Sequence, residues 1–371
     1  MAHDLHLDPA QNGHQQLSII VNATHDDDRP IFLAGNFNDW NTHDERFKMV
    51  KLEHGKYRFT FTPDTQLPDT LEYKFVKGGW HNVETDNYGN TAPNRQIPKT
   101  QQLVTDHVYR FQQNGMAHNP RFLPIKELLT NGKDLPGMRR KRNVWALLPY
   151  NYYQTNRSYP VLYLHDAQNL FDDNAPFGNW AIDRKLAVLA EQGMGDVIII
   201  AIDHAGNKRI TDFSITPQVG SHHEGRKYVK MISEKLKPYV DARLRTLPQR
   251  EHTGIGGSSL GGLVSIYAGF TYPQTYSKLL IFSPSLWMNP HIHFEAIHFT
   301  EVLQSKIYLY AGGAESVNML PNIYHLKDTL EKQGVAQKKL HFRLSIDPNG
   351  KHNEHFWGEE FPKAVEWLYF K

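Results

Sequence analysis

The sequence lacks cysteine altogether. Disulfides, thiol catalysis and cysteine-ligated metals are excluded, although the compartment is not fixed by this. It also lacks a long apolar run. The longest, "VIIIAI" at 197–202, is far short of the ~20 residues that cross a bilayer. The opening "MAHDLHLDPAQNGHQQ" has no apolar core of the kind a signal peptide needs. Nor is there an excess of one charge: Lys and Arg number 41 against 39 Asp and Glu. No basic field points to nucleic acid and no acidic tail points to disorder. The expectation is a cytoplasmic protein with no nucleic-acid and no membrane partner. A secreted or periplasmic chain whose leader had been removed would read the same. There is no internal repeat or low-complexity tract, and the pattern specifies no oligomeric state.

What is present is ordinary in bulk. The chain has 371 residues, 40% hydrophobic and 22% charged, enough for one large or two smaller globular domains. Aromatic residues make up 12%, with seven tryptophans. Rings stack on sugars in carbohydrate-binding proteins, but they also fill cores.

Two rhythms divide the chain. Over residues 16–112 apolar residues alternate in short runs broken by Pro, Gly, Asn and Asp. Tyr57, Phe59 and Phe61 share one face of "GKYRFTFT"; Leu71, Tyr73 and Phe75 share one face of "LEYKFVKGGW". This predicts an immunoglobulin-like β-sandwich, preceded by a flexible tail at 1–15. The polar segment 113–122 reads as a linker. From 123 to 371, near-continuous apolar strands alternate with helical stretches at 180–192, 225–245, 260–270 and 318–333, and "EEFPKAVEWLYF" closes the chain. Strands of that kind are buried on both faces of a parallel sheet, so the second domain is expected to be α/β with helices on both faces.

The chemistry is concentrated in "GIGGSSLGGL", between a predicted strand and a predicted helix. That context suits the G-x-S-x-G nucleophile elbow. The glycine frame centres on Ser259; centring on Ser258 would need glycine at 260, which is Leu260. A serine nucleophile needs a base oriented by a carboxylate, and in α/β-hydrolases these follow in the order acid, then His. Glu315 lies just past the strand "KIYLYAGG", with Asp347 as a rival acid. His352 lies in the Gly-bearing loop before the last helix, with His355 as a rival base. Oxyanion donors are expected from the backbone N–H of Leu260 and of Ala167 or Gln168 in "HDAQNLFDD". His165 and Asp166 in that loop read as residues that shape it by hydrogen bonds, with a metal or acid–base role as the alternative. No metal or organic cofactor is required.

Together "YPVLYLHDAQNLFDD", "GIGGSSLGGLVSIYAGFTYPQTYSKLLIFSPS", "YAGGAE" and "GKHNEHFWGEEFPKAVEWLY" resemble the esterase family that includes enterochelin (siderophore) esterases, esterase D-type enzymes, and feruloyl and acetyl xylan esterases. The resemblance runs from near Pro136 to the last residues. It implies an α/β-hydrolase fold with Ser259 as nucleophile, Glu315 as acid and His352 as base. The family often carries Gly where this chain has Ala167. The first domain, through "FLAGNFNDWN", "YKFVKGGW" and "DNYGNTAPN", resembles glycogen-binding early-set modules. That implies stacking of Trp40 and Trp80 on glucose rings and donation by Lys74 to hydroxyls. The alternatives are packing of Trp40 within the sandwich and a solvated Lys74.

Aromatics in loops after the strands suit an acyl or sugar ring: Phe177 and Trp180 in "APFGNW", and Trp287 in "SPSLW". Arg209 could meet an anionic group or close a loop salt bridge, and 204–224 reads as a polar lid. Three functions follow: an esterase on acyl esters of carbohydrates, feruloyl or acetyl; a siderophore esterase of the enterochelin type; or a glycan-binding protein with an inactive hydrolase domain. The expected partner is a small-molecule or oligosaccharide ester.

Overall fold

The computed structural model describes residues 16–131, 140–216, 223–288, 304–332 and 340–371. The expected tail at 1–15 and residues 217–222 of the expected lid lie outside the described residues. The chain divides into two compact units, Met1–Ala117 and His118–Lys371.

The first unit is a β-sandwich. Its strands are β1 (Ser18–Ala23), β2 (Phe32–Gly35), β3 (Val50–Glu53), β4 (Lys56–Thr60), β5 (Thr70–Val76), β6 (Glu84–Thr85), β7 (Arg95–Pro98), β8 (Leu103–Val108) and β9 (Arg110–Phe111). One sheet has the order β3-β4-β1-β8 and another β2-β5-β7. Because side chains alternate across a strand, Ile19 and Val21 of one sheet and Leu71, Tyr73 and Phe75 of the other enter a single core with Tyr57 and Phe61. A buried ion pair sits at its edge. The Lys77 ammonium contacts Asp26 at 3.2 Å, with both side chains fully covered. Burial opposes ionisation of Asp26, but hydrogen bonds from Tyr57, Gly55 and Lys77 outweigh it and hold the carboxyl well below the usual range.

The second unit is built on an eight-stranded sheet, ordered β10-β11-β13-β12-β14-β15-β16-β17. The strands are β10 (Ile125–Thr130), β11 (Val144–Leu148), β12 (Val161–His165), β13 (Ile198–Ile202), β14 (Thr253–Ser258), β15 (Lys278–Phe282), β16 (Ser305–Gly312) and β17 (Leu340–Asp347). β10 and β11 run antiparallel to their neighbours, and β12 to β17 are parallel. Four of the helices among the described residues are α1 (Ile182–Glu191), α2 (Leu260–Thr271), α3 (Met319–Leu330) and α4 (Glu354–Tyr369), and the stretch expected at 225–245 forms a continuous helical run over 225–241 with a π-helical segment at Ile232–Leu236.

The two-sided burial expected from the apolar runs is resolved by alternation. Val161, Tyr163, Ile200, Ile255, Leu279 and Ile281 share a core with Val264 and Ala268 of α2 and Ile323 of α3. On the other side, α4 packs against β15, β16 and α1. This is the α/β-hydrolase fold.

β10 was not anticipated. Its pattern "IKELLT" is half-exposed, as suits an antiparallel edge strand, and it lacks the apolar continuity that marks its neighbours. The last helix begins at Glu354, with His355 in its first turn, because Asn353 caps it by accepting from the Phe356 N–H at 3.3 Å. The segment read as a linker includes an ordered turn, Pro120–Phe122, capped by Asn119, with the Phe122 ring edge-on to Tyr150 at 4.9 Å. The first part of the expected lid is anchored. Phe213 and Ile215 are buried, and Asp212 accepts from Arg142 at 2.6 Å and pairs with Arg140.

Candidate active site

Parallel strands deliver the loops at their C-terminal ends to one edge of the sheet. Ser259 follows β14, Glu315 follows β16 and His352 follows β17. Ser259 stands at φ 57°, ψ −122°, immediately before α2. A non-glycine residue in this region is strained and is held there by its surroundings. The Ser259 N–H donates to the Phe282 carbonyl at 2.9 Å, and its carbonyl accepts from the Ser285 N–H at 3.1 Å. The flanking glycines are required by space. A Cβ on Gly257 would lie 3.1 Å from the Gly261 backbone, and one on Gly261 would lie 3.2 Å from Asp166 Oδ2.

From this elbow a continuous relay runs inward. Ser259 Oγ is 3.0 Å from His352 Nε2, and His352 Nδ1 is 2.7 Å from Glu315 Oε2. The other oxygen of Glu315 accepts from Ser283 Oγ at 2.5 Å and from the Gly312 N–H at 2.7 Å. Ser283 in turn accepts from the Trp357 indole at 2.9 Å. The Trp357 ring stands edge-on to the His352 imidazole, centroids 4.9 Å apart. Glu315 is covered, and the imidazole is one-third exposed at the cleft. The acid loop and the histidine loop are tied together by Gly313 N–H to Asp347 O (2.7 Å) and Ala314 N–H to Gly350 O (3.0 Å). A Cβ on Gly312 would lie 2.2 Å from the Gly350 carbonyl oxygen. The two rivals stand elsewhere. Asp347 accepts from the Asn349 N–H within its own turn, and His355 lies in the first turn of α4, paired with Glu359 at 3.6 Å.

Leu260 is the first residue of α2, where a helix N–H has no partner inside the helix. Ala167 and Gln168 open a short turn, Ala167–Asn169. The left-handed φ of this loop falls on Asp166 (61°) and not on Ala167, so the backbone at position 167 accommodates an alanine. The Gln168 amide clamps the next loop, accepting from the His204 N–H and donating to the His204 carbonyl, both at 3.0 Å.

His165 is buried beneath this loop between Phe213 and Tyr228. Burial pushes its imidazole down to about 4, so it is neutral at physiological pH. Asp166 accepts two hydrogen bonds from Arg209, at 2.7 and 2.8 Å. Burial opposes the guanidinium charge, but this pairing outweighs it and raises Arg209 above its ordinary value.

A cavity of about 570 Å³ opens over the relay, lined among others by Asp166, Phe177, Arg209, Ser259, His352 and Trp357. The anticipated lining residues divide. Phe177 is there and largely exposed. Arg209 is there too, its charge matched by Asp166. Trp180 is not: it is 3% exposed, stacked on Phe282 with centroids 5.4 Å apart and packed against Trp357 and Phe361. The run of apolar residues that continues into α1 draws its ring into the core. Trp287 is half-exposed on the turn Leu286–Met288 and is not among the described residues lining this cavity.

Sequence reasoning missed Trp357, Ser283, Asn169 and Glu354. Only Trp357 left a trace, five residues after His352 and in the first turn of the last helix.

In the first unit, the rings of Trp40 and Trp80 lie 6.1 Å apart. Trp80 is 46% exposed and Trp40 is half-buried. Lys74 is not a solvated cation. Burial lowers its ammonium from the ordinary value, and it donates to the Ala92 carbonyl.

A family profile described as "Putative esterase" matches residues 136–368, more than half of the chain. The chain belongs to this esterase family. Solved structures agree in fold. An IroE-like serine hydrolase from Shewanella oneidensis superposes with a TM-score of 0.53 at 22% identity, over 66% of this chain and 80% of that one. A ferulic acid esterase gives 0.50 at 16% identity, over 67% and 98%. The enterobactin esterase FES from Shigella flexneri gives 0.52 at 14% identity and extends over 92% of this chain and 88% of its own. The esterase is thus a carboxylic ester hydrolase by family, and its substrate is a separate matter.

Proposed function

We propose that this esterase hydrolyses acyl esters of carbohydrates, of the feruloyl or acetyl type, through an acyl-enzyme on Ser259. The observation that carries the catalytic assignment is the single line of hydrogen bonds from Ser259 through His352 to Glu315. As Ser259 Oγ forms its bond to the ester carbonyl carbon, His352 Nε2 takes the hydroxyl proton. Glu315 holds the imidazole tautomer and stabilises the imidazolium. The carbonyl oxygen gains the negative charge and is met by the N–H groups of Leu260 and of Ala167 or Gln168. When the intermediate collapses, the ester C–O bond breaks and His352 returns the proton to the departing alcohol. Water then attacks the acyl-enzyme, gives a proton to His352 and releases the acid, and Ser259 regains its proton.

The carbohydrate reading draws on the aromatic and polar lining of the cleft, where Phe177 and Trp357 frame the site with Asn169 and Asn207. A siderophore ester is the second reading. It is favoured by the likeness to the enterobactin esterase, which extends over 92% of this chain. A panel of 4-nitrophenyl acetate, methyl ferulate, acetylated xylo-oligosaccharides and enterobactin, each run with Ser259→Ala, separates the readings. Selective turnover of the xylo-oligosaccharides or ferulate supports the first and selective turnover of enterobactin the second. Equal inactivity of wild type and variant on every ester removes both.

For the first unit, Trp40 and Trp80 are the proposed sugar-stacking rings. Retardation on glycogen or xylan gels that is lost in Trp80→Ala supports this role, and no retardation of the wild type removes it.

A further inference from the structure

The cleft wall beside the relay holds a polar pair that the catalytic steps do not use. Asn169 and Glu354 both line the cavity. Asn169 Nδ2 is 3.0 Å from Glu354 Oε1, while Asn169 Oδ1 is buried with no hydrogen-bond partner. Turning the amide over would set its oxygen against the Glu354 carboxyl and leave its NH2 group unpaired instead, so one end of the amide lacks a partner either way. A buried polar atom without a partner is costly and is characteristically completed by a ligand or water. Glu354 is 8% exposed. Its burial, and then the neighbouring Asp166, raise its carboxyl above the ordinary value, and the pair is rich in hydrogen-bonding capacity. The loop facing it is shaped to come close. Gly178 adopts φ +107°, and a Cβ there would lie 3.3 Å from Glu354 Cβ.

Charge narrows the ligand further. Arg209 is the one lysine or arginine among the described residues lining the cavity, and both oxygens of Asp166 engage it. The lining therefore carries two carboxyls against one matched guanidinium. A polyanionic ester would be desolvated here without a counter-charge, which is unfavourable. A hydroxyl both donates and accepts, so it satisfies Asn169 in either amide orientation and Glu354 in either protonation state.

We propose that Asn169 and Glu354 form a subsite for a hydroxyl group of an uncharged polyol ester, and that the cleft discriminates against polyanionic esters. This rests on the hydrolase reading above and specifies its substrate class.

The test compares three acetyl esters with a common acyl group: 4-nitrophenyl acetate, acetylated methyl glucoside and acetylated glucose 1-phosphate. Wild type should favour the neutral glucoside over the phosphate ester by about tenfold or more in kcat/KM. In Asn169→Leu the ratio of kcat/KM for the glucoside to that for 4-nitrophenyl acetate should fall by about tenfold, mainly through KM. Glu354→Gln, which keeps hydrogen bonding and shape, should lower the ratio less. It also provides a second reading where the leucine variant melts at a lower temperature. Unchanged ratios in both variants, or preference for the phosphate ester, overturn the subsite. Calorimetric binding of methyl glucoside to Ser259→Ala, with and without Asn169→Leu, probes the same contact without turnover. If 4-nitrophenyl acetate is untouched while Asn169→Leu still weakens glucoside binding, the hydrolase reading fails and the subsite stands. If the ester is cleaved while glucoside binding ignores Asn169, the reverse holds.

Discussion

The two ends of the parallel sheet both carry polar cavities, and they use their charged groups in opposite ways. At the C-terminal end, side chains bond to side chains in a chain that reaches the Ser259 hydroxyl at the cavity surface, where Ser285 Oγ stands 3.2 Å away. At the N-terminal end, a cavity of about 410 Å³ is lined by Arg250, Lys278, Lys306 and Glu251. By composition it looks the more reactive place. Yet Arg250 donates to the carbonyls of Pro273 and Gln304 at 2.8 Å, Lys278 donates to the Glu251 carbonyl and Lys306 to the Trp367 carbonyl. These cations engage main-chain carbonyls of the turns and the helix end around this edge of the sheet. Density of charge in a cavity is thus a weak sign of function. A polar atom that the fold positions and then leaves available is a stronger one.

That contrast can be broken or sharpened by substitution. The largest effect belongs to His352→Ala, where kcat on 4-nitrophenyl acetate should fall by about 10⁴- to 10⁶-fold with a thermal midpoint close to wild type, since the ring is partly exposed. Gly312→Val comes next. Its Cβ would collide with the Gly350 carbonyl and displace the acid loop from the histidine loop, which should cost about 10²-fold in kcat and a clear drop in melting temperature. Ser283→Ala removes one donor to Glu315 and the acceptor of the Trp357 indole, so a loss of about tenfold in kcat is expected, and the pH–rate profile should shift with it.

The smallest effect is at the other end of the sheet. Lys278→Met should leave kcat/KM within about twofold of wild type, as expected for a site remote from the chemistry. Its signature is in stability. Burial, then Lys306 and Arg250, push the Lys278 ammonium down from 10.5 to about 8. The unfolded chain therefore holds this proton more tightly than the folded one. The resulting penalty is full below about pH 8 and fades as pH rises towards 10.5. Wild-type melting temperature should rise relative to Lys278→Met across that window. A constant difference would show that this ammonium is not held down by the fold, and a large change in kcat/KM would erase the distinction between the two ends.

The fold class was legible because its signals are local. Strands buried on both faces announce themselves as runs such as "VIIIAI", and glycines at 257 and 261 fix the frame around Ser259. Positions set by packing were not legible. Trp180 and Phe177 come from the same loop, but one ring stacks on Phe282 while the other stands over the cleft, and nothing within six residues separates them. The partnership of Asn169 with Glu354 spans 185 positions, and that of Ser283 with Trp357 spans 74. Such pairs have no periodicity to read; they exist only once the loops after β12, β15 and β17 are gathered at one edge. β10 escaped for a different reason, since half-exposed edge strands carry little apolar signal.

The bare contact between Gly312 and Gly350 has a kinematic meaning. With no side chain between the two backbones there is nothing to compress and no rotamer to turn, so the acid loop and the histidine loop can travel only as one body. The Glu315–His352 separation is therefore expected to vary less than the gap from His352 to Ser259. The adjustable joint is then the one the proton must cross, between Ser259 and His352, and the joint between His352 and Glu315 is the fixed one.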